Sequence, residues 1–125
     1  MLPLRDPMTY LLLALIGLLG GISSGLFGVG GGLVFVPLLI LVKAYDPHVA
    51  IGTSLAIVVP TAIAALLKHS GAGMVDWKVV PVIVIFALLG AWLGATISLQ
   101  IDSLLLKRIY AVFLILVALK IFFTK

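Results

Sequence analysis

The sequence contains no cysteine and no glutamate, and of its 125 residues only eight Lys or Arg and four Asp carry a formal charge. Without cysteine there is no disulfide, no thiolate metal site and no thiol catalysis, and the redox compartment stays unread. The shortage of charge excludes more. A chain that is 64% hydrophobic and 10% charged cannot cover a water-facing surface, so lipid is the solvent for most of it. A mean hydropathy of +1.42 agrees. No Asp lies inside an apolar run, whereas a proton-coupled cation exporter normally carries a membrane-embedded carboxylate. No Ser-His-Asp or two-carboxylate arrangement stands within plausible reach for an intramembrane hydrolase, so catalysis finds no support and no cofactor or metal is expected.

The formal charge of +4 raises nucleic acid as a partner. The basic residues, however, stand singly or in pairs at the ends of apolar runs: Arg5, Lys43, Lys68, Lys78, Lys107, Arg108, Lys120 and Lys125. Helix-end anchors among lipid headgroups are placed this way, and no basic stripe exists to follow phosphates. Arg5 ahead of the apolar run Tyr10 to Leu19 imitates a signal peptide, but hydrophobicity continues to Val42 and Gly20 to Gly28 lacks an A-x-A pattern. A retained first helix is expected.

Polar breaks divide the chain into apolar segments at 8–27, 33–42, 48–67, 79–100 and 109–124, a single transmembrane domain over 1–125. Twenty helical residues cross about 30 Å of hydrocarbon, so the last three segments read as ordinary spans, the last slightly short. The first apolar stretch, Met8 to Val42, is too long for one straight span and holds four glycines in the five positions 28–32. Each costs roughly 1 kcal/mol relative to Ala inside a helix. The stretch therefore reads as a hairpin with an irregular glycine turn and a second helix weakened near Pro37, either crossing fully or re-entering. With three spans after it, the chain ends fall on opposite sides of the membrane. Each side then holds four basic residues and no orientation follows; this balance also suits a protein that inserts both ways and pairs antiparallel. Small residues recur every fourth position at Gly17, Gly21 and Gly25, and again at Gly90, Gly94 and Ser98 beside Ala87, Ala91 and Ala95. Such rows let helices approach closely in lipid, and they read as scaffold.

The glycine turn is the main candidate site. Breaking a helix at membrane depth frees main-chain N–H groups at the start of the next one, where the dipole adds roughly half a positive charge. Irregular backbone there is tolerated only if buried in protein or lining a wet cavity. Ser24, Gly28, Gly30, Gly31 and Gly32 are the candidate residues for holding an anion without a buried Lys or Arg. A tight turn with no ligand is the plain alternative. The turn is not a nucleotide loop: no Lys follows the glycines, and Leu33 stands where a dinucleotide fingerprint needs Gly. Thr53 and Ser54 add hydroxyls in the third segment. Ser54, Thr61 and Lys68 follow one another at seven-residue steps along one stripe. Hydroxyls there either donate to an anion or satisfy their own helix carbonyls. Lys68 is a candidate for attracting the anion. His69, of the side-chain type that titrates near neutrality, is the candidate for proton coupling, and His48 beside Pro47 is a weaker one. Trp77 and Lys78 mark an interface, and Asp76 is expected to cap the helix beginning near Val79.

These residues resemble the TauE/SafE family of membrane permeases, also called the 4-toluene sulfonate uptake permease family. The resemblance rests on SGLFGVGGGLVFVPLL at 24–39, HVAIGTSLA at 48–56 and KHSGAGMVDWK at 68–78, in that order. It implies a multi-pass cell-membrane protein that transports small organic or sulfur-containing anions such as sulfite, sulfoacetate or other sulfonates. Members usually have about twice this length, in two similar halves. This chain carries one copy, which implies pairing as a homodimer, antiparallel if the halves are inverted. A passive anion channel built from such a dimer, and a membrane subunit that transports nothing alone, stay open beside the permease.

Overall fold

In a computed structural model, residues 6–28 and 30–124 are described, and they form five α-helices with no strand among them. Arg5, Val29 and Lys125 lie outside the described residues. The helices are α1 Pro7–Phe27, α2 Gly32–Lys43, α3 Pro47–Gly71, α4 Val80–Gln100 and α5 Ser103–Phe123. Their contacts group into two compact units, Met1–Val75 and Asp76–Lys125.

In the first unit α1, α2 and α3 pack on one another. Pro7 suits the first turn of α1, where an N–H has no helical partner anyway. The helix ends at Gly28, whose φ of +65° is a conformation that a Cβ disfavours, with its N–H bonded to Ser24 O at 3.0 Å. Gly31 (φ +74°) then caps the start of α2, its carbonyl accepting from Val34 N at 2.9 Å and Phe35 N at 2.8 Å. Helix α2 has 12 residues, about 18 Å of rise, so it is too short to cross the hydrocarbon layer. It is a half-helix. Its Pro37 sits inside the helix without ending it.

The core of this unit forms around Phe35, which is fully buried. A Cβ placed on Gly20 or on Gly31 would overlap the Phe35 ring, and on Gly31 it would also come within 3.2 Å of Gly20 O. The ring is therefore held between two glycines from different helices, with Ile16, Val36, Leu39 and Ala50 buried as well. Close backbone approach replaces the hydrophobic drive that lipid cannot supply.

Helix α3 begins at Asp46, whose carboxylate accepts from His48 N at 2.9 Å and meets the His48 ring Nδ1 at 3.1 Å. It runs to Gly71, four residues past the expected end at 67. Lys68 does not stop it, because a cation suits the last turn of a helix. The stop comes at Gly73 (φ +71°), where Met74 N bonds back to His69 O at 3.0 Å.

The second unit is a pair of helices. Asp76 Oδ1 accepts from Lys78 N at 3.0 Å and closes a turn ahead of α4, while the residue preceding α4 is Val79, with no side-chain cap. Asp76 thus shapes the approach rather than capping the helix. Helix α5 starts at Ser103, six residues before the expected 109, because Asp102 Oδ2 caps it by accepting from Leu104 N at 3.2 Å. Lys107 and Arg108 then continue the helix, since both are good helix formers. Leu106 is the buried residue of α5, and α4 has none.

Among the described residues, three helices are long and apolar enough to cross a membrane: Pro7–Phe27, Pro47–Gly71 and Val80–Gln100. Helix α5 is not among them. Lys107, Arg108 and Lys120 leave Ile109 to Leu119 uncharged, about 16 Å of rise.

Candidate functional site

Beside the glycine turn the first unit has a half-open cavity of about 210 Å³, lined by Ser24, Gly28, Gly30, Ala62, Ala65, Leu66 and His69, the last of which is exposed. The end of α1 and the turn supply the first three; one stripe of α3 supplies the rest. Positions 62, 65, 66 and 69 follow the i, i+3, i+4, i+7 spacing that lines one helix face.

Two adjacent serines behave differently. Ser23 Oγ donates to Leu19 O at 2.8 Å, the usual way a helix absorbs a hydroxyl. Ser24 is 2% exposed, and its Oγ has no hydrogen-bond partner. A buried hydroxyl left unpaired costs about 1–3 kcal/mol; Ser24 is among the residues lining the cavity, while its Oγ itself is buried within the protein. His69 reaches across from α3 to α1, with Nε2 3.2 Å from Gly25 O. In the tautomer that carries the Nε2 proton it donates there. Gly25 O belongs to the last turn of α1, the negative end of that helix, which favours a donor or a cation.

The expected site residues separate into three groups. Ser24, Gly28, Gly30 and His69 come together on the cavity. Gly31, Gly32 and Ser54 lie in the packed seam of the half-helix: Gly31 is filled by Phe35, and a Cβ on Gly32 would stand 3.6 Å from the buried Ser54 Oγ. Thr53 and Lys68 are exposed and do not line the cavity. Thr61 satisfies its own helix, donating to Ile57 O at 3.1 Å and Val58 O at 3.0 Å. A Cβ added at Gly17, Gly21, Gly25, Gly90 or Gly94 would meet nothing within 4 Å, although Gly25 O is met by the His69 ring.

Sequence reasoning missed Gly20 and Phe35, and with them the α3 stripe. Gly20 sits one position off the four-residue row, and Phe35 is the single aromatic of α2. The stripe's signal was available: Ala62 and Ala65 are the small residues that share a face with His69. Among the described residues no group of three His or Asp side chains is placed to hold a metal ion.

Apolar helices of crossing length, a half-helix broken at glycine and a cavity with polar groups beside that break define a multi-pass membrane protein of the transporter class. Residues 13–125 match the family model described as sulfite exporter TauE/SafE, and the chain belongs to that family. The family is one of membrane transporters rather than of enzymes. A probable membrane transporter protein of Xylella fastidiosa is 36% identical over 104 residues, covering 82% of this chain and 40% of the relative. The probable membrane transporter protein YunE of Bacillus subtilis is 30% identical over 122 residues, 94% of this chain and 45% of its own length. One from Haemophilus influenzae is 32% identical over 120 residues, 90% and 46% respectively. The chain thus spans less than half the length of these curated relatives. No solved structure is a significant match.

Proposed function

We propose that this chain is one repeat of a permease that moves a small anion, sulfur-containing or organic and resembling sulfite or a sulfonate, and that the anion rests beside the glycine break. One observation carries the reading: a half-helix begins at a glycine turn next to a cavity whose buried Ser24 hydroxyl lacks a protein partner. The α2 N-terminus contributes a positive dipole end to the turn, and Gly28, where a Cβ would meet nothing within 4 Å, lets a ligand approach main chain. The family's description as a sulfite exporter supports the choice of anion. The repeat acts as one domain over 1–125, paired with a second copy. The chain's share of its relatives' length favours that pairing, and the open positions at Gly17, Gly21, Gly90 and Gly94 offer surfaces for it.

The test is flux into proteoliposomes holding the purified chain, with sulfite, thiosulfate, methanesulfonate and acetate, with and without a pH gradient. Saturable flux of one of them is expected. Ala65→Leu, which fills the cavity from a helix without backbone strain, should lower it at least about tenfold while the protein still inserts. Unchanged flux in that variant defeats the site. Flux that ignores gradients and saturates only at high concentration makes the protein a passive anion channel of paired copies. No flux with any of the four leaves a subunit that needs another chain.

A further inference from the structure

Two helices of the first unit hold a proline inside them, Pro37 in α2 and Pro60 in α3. A proline has no N–H for the carbonyl four residues back and its ring crowds that carbonyl, so each is a weak point of its helix. Their surroundings differ. Pro37 stands between buried residues on both sides, Phe35 and Val36 before it and Leu39 after it. At Pro60 the packing stops. Ala50 and Ser54, the buried residues of α3, both precede it, and no residue of 61–71 is buried. Pro60 itself is exposed. We propose that Pro60 is a hinge, about which the arm 61–71 of α3 swings to open and close the cavity. The inference rests on the permease reading above and adds the motion of that site.

The arm carries one whole wall of the cavity. Ala62, Ala65, Leu66 and His69 all lie beyond Pro60, whereas Ser24, Gly28 and Gly30 belong to α1 and the turn. That second wall is fixed, because the Phe35 ring is locked between Gly20 and Gly31. The part of α3 ahead of the hinge is held against it. A Cβ on Gly30 would stand 2.9 Å from Val58 Cγ1, and one on Gly32 would stand 3.6 Å from the buried Ser54 Oγ. The tie across the cavity is slight by comparison. Among the described residues, the arm's side-chain hydrogen bond to another helix is that of His69 Nε2 to Gly25 O at 3.2 Å, from an exposed ring. Thr61 does not mend the break: its Oγ1 bonds to Ile57 O and Val58 O, not to Ala56 O, the carbonyl that Pro60 leaves without its donor. Residues 61–71 rise about 16 Å, so a turn of about 20° at the hinge carries the end of the arm through roughly 5–6 Å. That displacement is comparable with the width of a cavity of about 210 Å³.

The chain has no cysteine, so a pair of introduced ones carries spin labels without interference. Leu18→Cys in α1 and Ala72→Cys at the end of α3 label exposed positions off the cavity wall. Their separation is measured by pulsed dipolar spectroscopy on the full chain in lipid nanodiscs, diluted with unlabelled copies. With Pro60 in place it should show a broad or double distribution, its limits roughly 4 Å apart. The pair Leu11→Cys and Leu55→Cys, exposed and both ahead of the hinge, should give one narrow peak. Pro60→Ala returns an N–H to Ala56 O and removes no buried contact. It should narrow the first distribution to match the second, raise the melting temperature, and lower sulfite flux into proteoliposomes about tenfold or more. Pro60→Gly returns the N–H but leaves a weak helix, so it should keep most of the breadth and of the flux. A narrow Leu18–Ala72 distribution in the chain with Pro60, or unchanged breadth or flux in Pro60→Ala, overturns the hinge and leaves the permease standing. So does a lower melting temperature in Pro60→Ala, which marks a proline needed for packing. A wild type that carries none of the four anions defeats the permease instead, and the distances alone then decide the swing.

Discussion

The two units have nearly the same chemistry and opposite interiors. Helices α1 to α3 and helices α4 and α5 are all rich in aliphatic residues such as Leu, Val and Ile. Yet the first unit buries Phe35, Val36, Leu39, two serines and a threonine, and borders a half-open cavity, while α4 buries nothing and α5 buries Leu106 alone. Hydrophobicity cannot make this difference, because apolar side chains gain little by leaving lipid for protein. Local shape makes it. Where Gly20 and Gly31 remove two Cβ atoms, the ring of Phe35 fits between main chains. Gly90 and Gly94 remove the same atoms in α4, but no aromatic ring occupies the space.

The sharpest way to break this comparison is one substitution made in both units. Gly20→Leu forces a side chain into the Phe35 ring, so it should cost about 3 kcal/mol or more, read as a lost or much lower melting transition in detergent. Gly94→Leu meets open space within the chain and should leave that transition in place; its effect should appear only in self-association. Equal losses in the two variants would mean that the packing contrast is not real. A smaller effect probes what the units share. Asp46 and Asp102 cap α3 and α5 through the same contact, carboxylate to the N–H two residues on. Asp102→Ala should cost about 1 kcal/mol, seen as fraying of α5 in amide exchange with α1 to α3 unaffected. The smallest effect has the opposite sign. Ala44 ends α2 with φ 52°, a conformation unfavourable to a residue with a Cβ. Ala44→Gly should therefore stabilise the first unit by about 0.5–1 kcal/mol, measured as a rise in its unfolding midpoint.

Much of the architecture was legible because it follows from composition along one strand of chain. Four glycines in five residues break a helix wherever they occur, and the structure ends α1 at Phe27 and begins α2 at Gly32. The start of α5 was not legible, since a run of charged and polar residues looks like a loop until Asp102 is seen to cap it. The site was half legible. Ser24, Gly28, Gly30 and His69 meet on one cavity, but the stripe drawn through Ser54, Thr61 and Lys68 lies beside the face that lines it. A helix of 25 residues presents several small-residue stripes, and only its neighbours select among them.

The sequence alone therefore determined the solvent, the helices and the position of the break, because hydropathy, glycine cost and capping act within a few residues. The tertiary structure decided which glycines back onto Phe35 and which border empty space, and that Ser24 rather than Ser23 keeps a free hydroxyl. Those outcomes depend on how main chains from α1, α2 and α3 approach one another, a distance that no local pattern encodes.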